Sequence, residues 1–244
     1  MKRKADKYPQ KTVKKQAVNR NQVGAGFQRA VVVQPGNFRL GGAYQRSNPH
    51  NFEKKYWDTG INLSAIAAVG QCLSSINLIP QDTSKNGRIG NKCTAVNINV
   101  HGVLILPAAV SGVTLVGTRV RIILYVDKQC NGVTAQPADL IKDSPTGGTF
   151  VNSFRNMDNV DRFIVLKDKT FTMNYLTAGT ATEAAASVLR EYKFNKKCSI
   201  PLDYSATTGA LTEIRSNNIG MMFISDTNNQ VSFQQISRVK FSDH

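Results

Sequence analysis

Long hydrophobic runs are missing from this 244-residue sequence: none approaches the roughly 20 residues that a membrane-crossing helix needs. Behind Met1 come Lys and Arg with no apolar block, so neither a membrane span nor a secretory signal is expected. Closely spaced cysteines are missing too. Cys72, Cys93, Cys130 and Cys198 lie 21, 37 and 68 positions apart, which offers no pair for a zinc ribbon or a redox dithiol and points to reduced, half-buried thiols in an intracellular protein. His50, His101 and His244 are scattered without an HExxH or H-x-E-plus-CxxC signature, so no metal site is expected. Neither GK[ST] nor GxGxxG occurs, and the glycine clusters Gly147-Gly148 and Gly24-x-Gly26 fit no nucleotide cradle. No cofactor and no catalytic residue is expected: a nucleophile with its base, a metal cluster or a pocketed carboxylate pair cannot be assembled from these spacings.

Acidic residues are scarce as well, 16 Asp and Glu against 31 Lys and Arg, for a formal charge of +15. The imbalance is local. Residues 1–57 hold 13 basic side chains and two acids, Asp6 and Glu53, a difference of +11; the remaining residues hold 18 against 14, a difference of +4. Lys2, Arg3, Lys4, Lys7, Lys11, Lys14, Lys15 and Arg20 are interleaved with Gln, Asn and Thr, and Arg29 follows. Such a stretch cannot offset its ordering entropy by burial, and Gly24, Gly26, Pro35, Gly36, Gly41 and Gly42 break the few apolar clusters beyond it. Residues 1–50 are therefore expected to be a largely disordered arm. Its nine cations from Lys2 to Arg29 would neutralise phosphates and release counterions without reading sequence. Tyr8, Phe27, Phe38 and Tyr44 could stack on unpaired bases. Lys2-Arg3-Lys4 with Lys14-Lys15 also forms a split basic cluster of the kind nuclear import receptors read.

Past the arm the pattern turns to period two, rich in β-branched and aromatic residues, which predicts an all-β domain over 51–244. Strands are expected at Tyr56–Ile66, Leu73–Ile79, Cys93–Leu106, Thr118–Asp127, Asp161–Asn174, Lys193–Tyr204, Gly220–Ser225 and Val231–Phe241. In Cys93–Leu106, Val96, Ile98, Val100 and Gly102 fall on one parity and Ala95, Asn97, Asn99 and His101 on the other, and one face is expected to be buried. Val120, Ile122, Ile123, Leu124 and Val126 are so nearly continuous that their strand should be covered on both faces, and Phe163–Leu166 should begin a strand of the same kind. Thr182–Leu189 is the one helix candidate, and Asp226-Thr227-Asn228-Asn229 suggests a tight hairpin between the last two strands. About eight strands with long excursions fit a single two-sheet jelly roll. The longest excursion, 128–160, is too long for a plain connector and is expected, with 176–181, at an outer surface or an intersubunit contact.

Four blocks carry a family resemblance: Asn86-Gly87-Arg88-Ile89-Gly90-Asn91-Lys92; Arg121 through Gln129 with Asn131-Gly132; Asn156 through Phe163 continuing to Phe171; and Ser225-Asp226 with Arg238-Val239-Lys240-Phe241. In this order, behind a basic arm, they resemble the single jelly-roll capsid proteins of small circular single-stranded DNA viruses that encode their own replication initiator, the circovirus, geminivirus and satellite-necrosis-virus type. The resemblance spans roughly residues 50–243. It implies a coat subunit that closes, as sixty copies with triangulation number one, around circular single-stranded DNA, with the arm inside. The implied partners are further copies of the chain, the DNA genome and host nuclear import receptors, and the implied locations are the virion and the host nucleus.

Two other readings stay open: the coat protein of a small single-stranded RNA satellite virus, and a nuclear nucleic-acid-binding module that never assembles. Charge does not separate DNA from RNA. Asp127, Asp158 and Asp161 are either turn residues or a calcium site between subunits, with turn chemistry favoured because a calcium loop's sixth-position Gly and final Glu are missing. Arg88 and Arg162 either orient loops through carboxylates or touch DNA. Lys196-Lys197 either lines an inner surface or faces solvent, with solvent favoured. Trp57 is a core or interface anchor rather than a stacking platform. Val110, Val113, Leu115 and Val116 suit an intersubunit contact.

Overall fold

The computed structural model of the chain describes residues 54–63, 65–73, 75–108, 117–142, 149–175, 187–227 and 230–243. Eight strands make the sandwich: β1 (Lys54–Leu63), β2 (Gln71–Cys72), β3 (Lys92–Leu106), β4 (Thr118–Asp127), β7 (Phe163–Met173), β8 (Val188–Tyr204), β10 (Asn218–Ser225) and β11 (Ser232–Asp243). Helix α1 (Pro137–Leu140) and a two-stranded ribbon, β5 (Ile141–Lys142) with β6 (Phe154–Arg155), lie within the β4–β7 connection, and β9 (Ile214–Ser216) adds an edge beside β8. One sheet runs β1-β11-β3-β8-β9 and the other β2-β10-β4-β7, with antiparallel pairing throughout. Leaving out β9, the sheets hold strands one, eight, three and six, and two, seven, four and five, of the eight. That wrapping is a jelly roll, with an added edge strand and an elaborated connection.

The core sits between the sheets. Val120, Ile122, Leu124 and Val126 of β4 and Ile219, Met221 and Phe223 of β10 meet Ile98, Val100 and Leu104 of β3, Phe194 of β8 and Phe233, Val239 and Phe241 of β11, all buried. Phe223 stacks on Phe233 at 4.1 Å with the rings nearly parallel, a pair contributing about 0.5–1.5 kcal/mol beyond its buried area. A second core lies on the outer side of the four-stranded sheet. There Ile123, Tyr125, Met222, Ile224 and Phe163 are covered by Ala135, Leu140, Ile141 and Val151 of the β4–β7 connection. β4 and β10 are thus buried on both faces, which is why Thr118–Asp127 reads as a near-continuous apolar run.

Several expectations are corrected. The last two strands form no hairpin: β10 pairs with β2 and β4, β11 with β1 and β3, and their connection crosses from one sheet to the other. A turn signal marks a reversal and does not say within which sheet the chain returns. Leu73–Ile79 is not a strand; β2 stops at Cys72, and Ile76 and Ile79 reach the core from irregular backbone held by Leu73 N–H to Met221 O (2.8 Å) and Ile76 N–H to Ile219 O (2.9 Å). Val188 and Leu189, the end of the helix candidate, lie in β8, while 182–186 fall outside the described residues. β7 is an edge strand, and Ile164 is exposed where a covered strand was expected. In β3 the inward parity changes: Cys93 and Ala95 are buried, then Ile98 and Val100. Ala95 pairs with Phe241 and Asn97 with Lys240, so Val96 is an extra residue, a bulge that turns it half out of the core.

Gly102 shows how tightly the core is filled. A Cβ there would lie 2.4 Å from the Tyr192 ring, which is wedged among Phe171, Phe194 and Phe223 with its hydroxyl bonded to Gln235 Oε1 at 2.8 Å. Gly102→Ala should lower stability by about 1–3 kcal/mol, the usual range for overpacking. Gly60→Ala, whose nearest neighbour would be 3.9 Å away, should leave it within about 0.5 kcal/mol. Denaturant midpoints of the two variants check the contrast.

Candidate nucleic-acid interface

The cations expected to bind nucleic acid, Lys2, Arg3, Lys4, Lys7, Lys11, Lys14, Lys15, Arg20 and Arg29, and with them the import cluster, lie outside the described residues. So do 109–116, with Val110, Val113, Leu115 and Val116, and 176–181. What is described is the strand to which residues 1–53 are joined. β1 begins at Lys54, and Lys55, only 1% exposed, turns inward. Its Nζ donates to Gly87 O at 3.0 Å and pairs with Asp243 Oδ2 at 3.0 Å, tying the start of β1 to the end of β11. Beside it Arg88 is wholly buried. Its guanidinium lies 4.2 Å over the Tyr204 ring and donates to the carbonyls of Ile79 (3.0 Å), Gly90 (2.6 Å) and Ala206. Five donors in a rigid fork suit this convergence of carbonyls. Arg88 therefore orients loops, through carbonyls and not carboxylates. Arg162 does pair with a carboxylate, the first of the two readings open to it, through two bonds to Asp127 at 2.8 and 2.7 Å.

The outer faces of the two sheets differ. The β4–β7 connection lies over the four-stranded sheet and is fastened there by Arg121, which binds Asp168 through two bonds (2.8 and 2.6 Å) and also donates to Val151 O and Ser153 O. On this connection Val133, Phe150, Phe154 and Met157 are exposed, Phe154 by 85%. Segment 128–160 thus packs inward through one set of apolar side chains and displays another.

Among the described residues nothing covers the outer face of the five-stranded sheet, which is mostly polar; the register lays it out in rows, with Leu189, 64% exposed, beside Ile105 at the far end. Tyr56, Lys240, Asn97 and Lys197 form one row; Asp58, Arg238, Asn99 and Asn195 the next; Gly60, Ile236, His101 and Lys193 the third; Asn62, Gln234, Val103 and Glu191 the fourth. Gly60 has no side chain and Ile236 is 57% exposed. Two shallow depressions, of about 410 and 330 Å³, adjoin at His101 and Ile236. With Lys54, this face carries five cations against the carboxylates of Asp58 and Glu191. Arg238 binds Asp58 at 2.7 and 2.6 Å while lying 4.7 Å over Tyr56, and Lys193 lies 3.8 Å from Glu191. Among the described residues no carboxylate lies within ion-pair distance of Lys54, Lys197 or Lys240. Lys196 and Lys197 are both exposed. The outward parity of Asn97, Asn99 and His101 was legible; that β11 and β8 would lay Lys240, Lys193 and Lys197 beside it required the strand order.

The acidic trio does not converge. Asp127 is bound by Arg162 and accepts the Gln129 N–H at 3.0 Å, and Asp158 pairs with Lys142 at 2.8 Å. No group of three His, Cys, Asp or Glu able to hold a metal ion occurs among the described residues. The four cysteines are free. Burial pushes the Cys72 and Cys93 thiols up to about 12, so they stay protonated and poorly nucleophilic at neutral pH. Trp57 packs its ring against the main core.

No family model and no curated protein matches the chain. Among solved structures it is similar to one described as Desmodium yellow mottle tymovirus, at 10% identity and a TM-score of 0.30, over 80% of this chain and 89% of that one. It is also similar to the structure of infectious bursal disease virus Gx strain, at 13% identity and a TM-score of 0.25, over 79% of this chain and 33% of that one.

Lys55→Met removes one partner of a buried pair and leaves the Asp243 carboxylate uncompensated, so it should cost about 3–5 kcal/mol, read as a shift in the denaturation midpoint. Cys72 and Cys93 should resist iodoacetamide at pH 8 in the native protein and react once denaturant opens the sandwich; fast native labelling of either would contradict their burial.

Proposed function

We propose that this chain is a viral coat subunit that closes with copies of itself into a small icosahedral shell and packages circular single-stranded DNA through its basic arm. The observation that carries this reading is the partition of charge: +11 within residues 1–57, joined to a jelly roll whose own residues are close to balanced. A cationic leader binds a polyanion by counterion release, at any sequence and in many copies at once. A jelly roll with one outer face covered by an apolar-studded connection has surface for repeated heterologous contacts, the kind that closed shells use. In this reading the shell has sixty copies and triangulation number one, and Lys2, Arg3, Lys4, Lys7, Lys11, Lys14, Lys15, Arg20 and Arg29 neutralise the genome. Lys2, Arg3, Lys4, Lys14 and Lys15 also engage host import receptors, and the protein divides its time between host nucleus and virion. No catalysis is assigned to it.

Purified full-length chain mixed with circular single-stranded DNA at low salt should give closed particles in negative stain whose nucleic acid is digested by DNase once released. RNase-sensitive cargo would move the reading to an RNA coat, and a monomer indifferent to polyanions would end it. Changing Lys2, Arg3, Lys4, Lys14 and Lys15 to Gln should reduce the slope of log K against log salt by roughly 3–4, from about 0.7 per lost phosphate contact on a single strand. The same variant, fused to a fluorescent reporter, should remain cytoplasmic.

A further inference from the structure

We propose that the outer face of the five-stranded sheet is a second binding surface for single-stranded nucleic acid, taking phosphates on Lys193, Lys197 and Lys240 and bases against His101, Ile236 and Asn99. This rests on the packaging reading above and adds to it which side of the subunit meets the genome.

Charge is the first ground. The face holds five cations and two carboxylates, and both carboxylates already have cationic partners, Arg238 and Lys193. Lys197 and Lys240 lie in one row and Lys193 two rows away in the third, with Asn97 and then Asn99 between them. Side chains on one face of a strand repeat every two residues, at roughly 6.5–7 Å, so Lys193 and Lys197 are roughly 13 Å apart along β8 and mark a track for an extended backbone.

The centre of the face is built differently from its margins. His101 and Ile236 are register partners on neighbouring strands, both exposed, and the two depressions adjoin there. An imidazole plane beside an aliphatic side chain is a platform on which an unpaired base of any identity can rest. Asn99, in the next row, offers a donor and an acceptor to a base edge. Phosphate-binding margins around a stacking centre are what sequence-tolerant single-strand binding requires.

A second copy of the chain fits this face less well. The cores of protein interfaces are depleted in charged residues and rich in large apolar ones; this face carries five cations with Ile236 and Leu189 as its exposed large apolar side chains, against Val133, Phe150, Phe154 and Met157 on the connection covering the other sheet. The two outer faces thus divide the work, one toward nucleic acid and one toward neighbouring protein.

The test uses the full-length chain, with its native arm and with the five-glutamine arm described above, binding a fluorescent oligo-dT. In both backgrounds Lys193→Gln, Lys197→Gln and Lys240→Gln together should reduce the salt slope by about 2. His101→Ala should weaken binding at fixed salt by roughly five- to a hundred-fold and leave the slope unchanged. All these side chains are exposed, so the melting temperature should not move. Ultraviolet cross-linking to bromodeoxyuridine-substituted oligonucleotide should label the peptide containing His101. Unchanged slopes in both backgrounds, with cross-links confined to residues 1–53, would overturn the second surface and leave the packaging reading intact. Failure of the native chain to bind the oligonucleotide at low salt would remove both. Face variants that block particle formation but not oligonucleotide binding would make the face a contact between copies and overturn the inference.

Discussion

Two stacked sheets present four faces to be covered or wetted, and the distribution of apolar side chains in this chain is sufficient for three of them. The inner faces cover each other, and the four-stranded sheet buries Ile123, Tyr125, Met222 and Ile224 a second time beneath the β4–β7 connection. The outer face of the five-stranded sheet is left mainly with amides, cations and one imidazole, among two carboxylates and a few scattered apolar and aromatic side chains. Two strands covered on both faces over most of their length, β4 and β10, form the middle of their sheet, while β1, β3, β8 and β11 present one dry and one wet side. The asymmetry between a protein-facing and a solvent-facing side follows from that distribution.

Cations inside the fold obey a different logic from those on its surface. Lys55 and Arg88 are removed from water where β1, β11 and the 79–91 segment meet, a placement tolerable only because their donors find Asp243, Gly87 O and a ring of carbonyls. They hold the end of the sandwich shut beside the residue to which the basic leader is joined. Lys54, one position earlier, faces outward. Period-two alternation alone separates a structural lysine from a solvent-facing one.

The same alternation explains what could be read from sequence and what could not. Thr118–Asp127 was legible to the residue because an apolar run of that density fits only a strand covered twice. Cys93–Leu106 was legible as a strand, and in its parity from Asn97 onward but not before it, since the bulge at Val96 depends on how β11 and β8 pair beside it. The false hairpin at 226–229 has the same origin: turn chemistry is local and sheet membership is not. Ile76 and Ile79 looked like strand residues because burial demands apolar side chains whether or not the backbone is regular. The polar half of β3 could be seen, but its place in a cationic face could not, since residues from four strands meet there across up to 180 positions of sequence, as Asp58 and Arg238 do.

Lys54 and Ser242 are cross-strand neighbours at the edge of the five-stranded sheet, so the folded unit takes in and releases its backbone at one corner, separated by a single strand spacing of about 4.8 Å. A peptide grafted after Asp243 would begin its path one strand spacing from Lys54. An insertion into the ribbon of β5 and β6 would instead ride on the layer that covers the opposite sheet. The geometry thus supplies two engineering ports with opposite exposures on one small scaffold.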